Sequence, residues 1–172
     1  MSNPYIRHTV RFILLILFQV LILNRMNLGG YVNPYVYVLF ILLLPVRISK
    51  SLLLLLAFFT GLTIDYFGNT LGLHAAATVL LAFFRPSVIH IFFNNLEFIS
   101  GDEPDIVRLK AGGFFKYTLV LVFIHHTALF FLEIFSMHGF LTTLLRIAVS
   151  TLVTTVTIMI ITFLFTRNKK RE

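Results

Sequence analysis

The chain has 172 residues, 58% of them hydrophobic and only 12% charged, with a net charge of +7 and a mean hydropathy of +0.93. A soluble domain of this size cannot hide that much apolar surface in one core, which excludes an ordinary soluble fold. The basic residues punctuate the ends of apolar runs and form no single polar face, which excludes a nucleic-acid surface and reads as membrane topology.

Six spans are predicted in chain order, which gives an all-α polytopic membrane protein of one domain. The first covers about 9–23, after Arg7, and is almost wholly Leu, Ile, Phe and Val with one amide, Gln19. No A-x-A-like site follows it, so it reads as a retained span. Its surface suits lipid or a partner helix. The second covers about 34–46, with Pro34 in a first-turn position where its missing N–H costs little. The third covers about 51–67. The fourth covers about 71–85, and Ser87 to Ile99 is read as an amphipathic segment along the inner surface. The alternative is a fourth span that continues past a kink at Pro86. A cytoplasmic loop over 86–113 follows, centred on a turn-forming acidic stretch around Asp102, Glu103 and Asp105 that reads as solvated. The fifth and sixth spans cover about 114–135 and 140–165. Spans two and four are short against the roughly 20 residues of a full crossing.

With the N-terminus in the cytoplasm, the inner side holds Arg7, Arg11, Arg47, Lys50, Arg85, Arg108, Lys110, Lys116, Arg167, Lys169, Lys170 and Arg171. The outer loops hold only Arg25, and Arg146 lies within span six. That asymmetry places both termini inside and favours six spans over five. Arg47, Lys50 and Arg85 then serve as topology anchors, and the basic tail sits near anionic lipid. Tryptophan is absent, so an interfacial belt has to come from Tyr5, Tyr31, Tyr35, Tyr37, Tyr66 and Tyr117.

Ionisable side chains within spans or at their outer ends are the candidate site: Asp65, His74, His125, His126, Glu133 and Arg146. Such groups are costly in lipid and mark function or a structural pair. Arg146 lies roughly 9 Å deep by helical rise and is expected to pair with Asp65 or Glu133. The other reading of the cluster is a ligand or proton site open to the outer face. His125 and His126 are adjacent and point about 100° apart on a helix, so they do not make a zinc pair, and no cofactor is implied. Gly68, Gly72 and Ala76 recur every four positions, a spacing that lets a neighbouring backbone approach. The hydroxyls of span six, from Ser150 to Thr162, are read as packing groups. No phosphate loop, nucleophile elbow, zinc-protease or calcium-loop motif is present in the sequence, so no enzyme is expected.

Several of these features occur in an order that resembles the MreD family of rod-shape-determining membrane proteins. Asn33-Pro34 opens the second span and Leu44-Pro45-Val46-Arg47 closes it. Gly61-x-x-x-Asp65 ends the third, and Leu71-Gly72 opens the fourth after a tiny turn. The resemblance implies a non-enzymatic scaffold of the bacterial elongation machinery in the cytoplasmic membrane. It would bind MreC directly and connect through it to MreB, RodA and a class B penicillin-binding protein. Gly61, Asp65, Gly68 and Gly72 would shape the outer end of the partner seam. The family fold is similar to the six-helix substrate-binding (S) component of vitamin transporters, which supplies the alternative function. Against it, such components commonly couple through Ala-x-x-x-Ala on the first span, and Phe12 to Leu23 contains no alanine. A lipid-precursor hydrolase or flippase is a third class, with Arg146 as a lone cation for a diphosphate.

Overall fold

The computed structural model describes residues 3–25, 33–134 and 140–169, and all regular structure among them is helical. Helix α1 is Pro4–Leu21, followed by a 3-10 turn at Leu23–Arg25. A 3-10 turn at Val36–Val38 runs into the four-residue α2, Leu39–Leu42. The long helices α3 (Lys50–Gly68), α4 (Leu73–Phe93), α5 (Ile106–Ile134) and α6 (Phe140–Lys169) complete the chain. Among the described residues five helices are long and apolar enough to cross a membrane, which gives the chain a multi-pass membrane character. At 1.5 Å per residue, α3 and α4 are each about 30 Å long, the thickness of a hydrocarbon layer.

Local chemistry sets the helix ends. Asn3 caps α1 by accepting the Tyr5 amide at 3.0 Å, with Pro4 at the first helical position. Asp105 caps α5 by accepting the amides of Val107 and Arg108 at 3.1 and 2.8 Å. Asn69 ends α3 in the left-handed conformation at φ 54°, which asparagine tolerates better than most residues. Within α5 the backbone breaks at Lys110, with φ 60° and ψ 163°.

The bundle is apolar outside, and its largely apolar core also holds polar groups. Large apolar side chains line the outer faces, such as Ile13, Leu14, Leu17 and Leu21 on α1, and Leu55, Phe58, Phe59 and Leu62 on α3. The core holds Gln19, Thr60, Asp65, His74, Thr78, Arg85, Thr118, His125 and His126 beside its aliphatic residues. That arrangement fits a lipid solvent, because apolar side chains cost nothing there and polar ones must face the interior.

The expected second span, 34–46, takes a different form. It is a short broken segment, not a membrane-length helix, and Tyr35 through Leu44 are all buried. Pro34 and Pro45 bracket it, so neither end can be extended as helix by the usual ladder. It runs beside α4 from the level of His74, whose ring lies 5.3 Å from Tyr35, to the level of Arg85, which bonds Leu44. Those two α4 residues are about 16 Å apart by helical rise. Irregular backbone at this depth is tolerated only when surrounded by protein, and here α1, α4, α5 and α6 all bond to it. Apolar composition identified the segment and its shortness, but not that its helix is broken.

Three further readings are corrected. Helix α4 passes through Pro86 to Phe93, so Ser87 to Phe93 continues the helix and no surface segment starts at Ser87. The loop of 86–113 shrinks accordingly to 94–105, because α5 starts at Ile106. Its acidic residues are half-buried and employed, not solvated: Glu103 pairs with Arg7 and, at 2.9 Å, with Arg11 of α1, and Asp102 binds Arg108 at 2.9 Å while its carbonyl accepts the Val46 amide at 2.8 Å. Basic residues of α1 and α5 thereby meet the acidic 94–105 loop at one end of the bundle, the basic end. The α3–α4 turn lies at the other.

Candidate functional site

Gly61 and Asp65 stand one turn apart on the same face of α3. A Cβ at Gly61 would lie 2.4 Å from the Ala75 Cα and 2.5 Å from the His74 carbonyl oxygen, so only glycine lets α3 and α4 meet backbone to backbone here. One turn further, Asp65 reaches the start of α4. Its Oδ1 accepts the His74 amide at 3.1 Å and its Oδ2 accepts the Ala75 amide at 2.9 Å. Gly72 holds the N-cap position of α4 at φ +82° and has no side chain to cap with. Asp65 therefore caps α4 from the preceding helix, and its charge meets the positive end of the helix dipole. Thr70 donates to the same Oδ1, and His74 Nδ1 lies 3.0 Å from it. The carboxylate is 2% exposed and fully engaged.

The expected glycine seam is corrected by these contacts. Among the described residues nothing lies within 4 Å of a Cβ at Gly72, and one at Gly68 would meet only the Thr70 hydroxyl at 3.6 Å. Ala76 is exposed. Gly72 serves a left-handed backbone, while the close approach belongs to Gly61 against Ala75.

Next to this joint, toward the bundle centre, aromatic rings gather. The Tyr35 ring lies 5.3 Å from His74, 6.2 Å from His125 and 5.5 Å from His126. The Tyr37 hydroxyl sits 2.8 Å from His125 Nε2 and 3.2 Å from the Thr78 hydroxyl. His126 donates from Nδ1 to the Val122 carbonyl at 2.8 Å. Tyr35, Tyr37 and Tyr117 are thus buried core residues and not members of an interfacial belt, because the Tyr37 and Tyr117 hydroxyls bond inside and the Tyr35 ring packs against the histidines. Tyr5 and Tyr66 are exposed, and Tyr31 lies outside the described residues.

The buried 34–46 segment is held by side chains from every side. Gln19 of α1, fully buried, donates to the Pro34 carbonyl at 3.1 Å and accepts the Val36 amide at 2.8 Å. Thr154 of α6 accepts the Tyr35 amide at 3.1 Å. At the segment's other end, Tyr117 of α5 donates to the Leu42 carbonyl at 2.9 Å, Arg85 of α4 binds the Leu44 carbonyl, and Arg11 reaches the Leu43 carbonyl at 3.3 Å. Arg85 is 1% exposed and also donates to the Tyr117 hydroxyl at 3.0 Å. It is corrected here from an interface anchor to an internal clamp. Its guanidinium meets the free carbonyls that a short helix leaves at its C-terminus. Arg47 and Lys50 are exposed near the basic end.

Glu133 and Arg146 form a separate pair between α5 and α6, 3.0 Å apart, with the guanidinium 4.3 Å from the Phe130 ring. Of the two partners expected for Arg146, Glu133 is the one bonded; Asp65 is committed to α4. The candidate residues therefore divide into the α3–α4 joint (Gly61, Asp65, Gly68, Gly72, His74), the buried His125 and His126 beside Tyr35, and the Glu133–Arg146 pair. Sequence reasoning missed Gln19, Tyr37, Arg85 and Tyr117 as site residues. A lone amide in an apolar run was the visible signal for Gln19, since a polar group in a span faces the interior.

Comparison of the chain with protein-family models, with curated proteins and with solved structures finds no match.

Proposed function

We propose that this chain is a non-enzymatic scaffold of the MreD type in the bacterial cytoplasmic membrane, acting in cell-shape control and peptidoglycan synthesis. In this reading the buried 34–46 segment is a sixth crossing, and both termini lie on the cytoplasmic side with the basic end. The direct partner is MreC, whose membrane helix docks along an exposed apolar face of the bundle. MreB, RodA and a class B penicillin-binding protein are reached through it.

The observation that carries the reading is the use made of the motif residues. Gly61 and Asp65 are spent on joining two helices, and Arg85 on clamping a third segment. Side chains so committed to internal partners support a rigid platform whose outer faces do the binding. The test is depletion of the protein in its own host. Loss of rod shape and rounding of the cells is the expected result. Unchanged shape and wall growth after full depletion contradicts the scaffold assignment.

A further inference from the structure

The proton count of the buried histidine cluster can be worked out from its hydrogen bonds. His74 Nδ1 faces the Asp65 carboxylate at 3.0 Å, and an ionised carboxylate only accepts. Nδ1 therefore carries the proton, and the neutral ring keeps a bare lone pair at Nε2. Thr78 donates its hydroxyl proton to the His74 carbonyl at 2.6 Å. Its contact with Tyr37 at 3.2 Å then needs the Tyr37 proton. With that proton spent, the Tyr37 oxygen accepts from His125 at 2.8 Å, so His125 carries its proton at Nε2. His125 Nδ1 is left as a second bare lone pair. His126 differs, because its Nδ1 donates to Val122 and its Nε2 faces the Thr154 hydroxyl at 3.3 Å.

His74 Nε2 and His125 Nδ1 are both buried and have no hydrogen-bond partner among the described residues. Thr118, Ser150, Thr151 and Thr155 have buried hydroxyl oxygens in the same condition. A hydroxyl can turn toward a carbonyl of its own helix. An imidazole lone pair has no such escape once the ring's other nitrogen is fixed. Buried acceptors of this kind are satisfied by donors, and ordered water is the usual one. Two imidazole lone pairs are fewer than a zinc site uses.

We propose that the core around Tyr35 is a hydrated site, in which water binds the lone pairs of His74 Nε2 and His125 Nδ1. The bound water extends the polar contacts of the Asp65 cap into the centre of the bundle, next to the buried 34–46 segment. This assignment does not depend on the scaffold reading.

The test is nitrogen–proton correlation NMR on the intact protein, with 15N-labelled histidine, in lipid nanodiscs. The expected spectrum has His74 protonated at Nδ1 and His125 at Nε2. Their unprotonated nitrogens resonate as hydrogen-bonded acceptors and receive magnetisation from water. A His125 proton on Nδ1 overturns the proposal. So do unprotonated nitrogens that resonate as free lone pairs with no transfer from water. No substitution is needed, so misfolding of a variant does not enter the result.

Discussion

The amide of Ala75 donates to Oδ2 of Asp65 at 2.9 Å, so the first turn of α4 is capped by a side chain from the last turns of α3. The same carboxylate also accepts the His74 amide and the Thr70 hydroxyl. One carboxylate thus ties the end of α3, the turn and the start of α4 together.

Asp65→Ala leaves two amides of α4 unmet and is expected to lower stability by about 2 kcal/mol. Asp65→Asn keeps one accepting oxygen and loses about half as much. Unfolding of the purified protein in mixed micelles, followed by circular dichroism, checks both. Equal stability of wild type and Asp65→Ala contradicts the cap.

Gly61→Ala pushes a methyl group into the α4 backbone and is expected to cost about 3 kcal/mol, at the upper end of overpacking effects. Among the described residues Gly68→Ala meets only ordinary van der Waals contact, and it is expected to change stability by less than about 1 kcal/mol. The comparison of the two, in the same micelles, separates the close approach from a general effect of glycine in helices.

Gln19→Leu makes the run from Phe12 to Leu23 wholly apolar, which would be neutral or favourable if this face met lipid. Because Gln19 holds the Pro34 carbonyl and the Val36 amide, the substitution is expected to cost about 3 kcal/mol in unsatisfied backbone groups. Protease protection of the 34–46 segment in membranes reads the outcome. A Gln19→Leu protein as resistant as wild type sinks this assignment.

Arg85→Lys distinguishes a clamp from an anchor. A lysine can anchor at an interface as well as an arginine, but it cannot bridge Tyr117 and the Leu44 carbonyl with a planar fork. A loss of about 2 kcal/mol is expected in the unfolding assay. Arg47→Lys, at an exposed position, is expected to be silent.

Much of the architecture was legible in the sequence because hydropathy and charge spacing report directly on what faces lipid. The extents of α3 and α6 are close to the runs of apolar residues that define them. Gly61 and Asp65 stood out through their four-residue spacing, which the structure turns into a close approach and a cap on one face of α3. The rest depended on long-range contacts. In residues 34–46 the bracketing prolines mark a short segment, but nothing local says that its backbone stays irregular and buried; that follows from Gln19, Arg85, Tyr117 and Thr154 meeting its free backbone groups. Arg85 has the position of an interface anchor by hydropathy and becomes an interior group only because α4 continues through Pro86. Tyr35 and Tyr37 are equally suited to an interface or a core, and tertiary packing decided between them.

The measurement that tests the central claim most directly is purification of the tagged protein from native membranes in mild detergent, with mass spectrometry of everything retained. The scaffold account predicts recovery of MreC, accompanied by RodA and its penicillin-binding partner. Recovery of an ATPase pair with a coupling membrane subunit, and no MreC, contradicts it and makes the chain a transporter component.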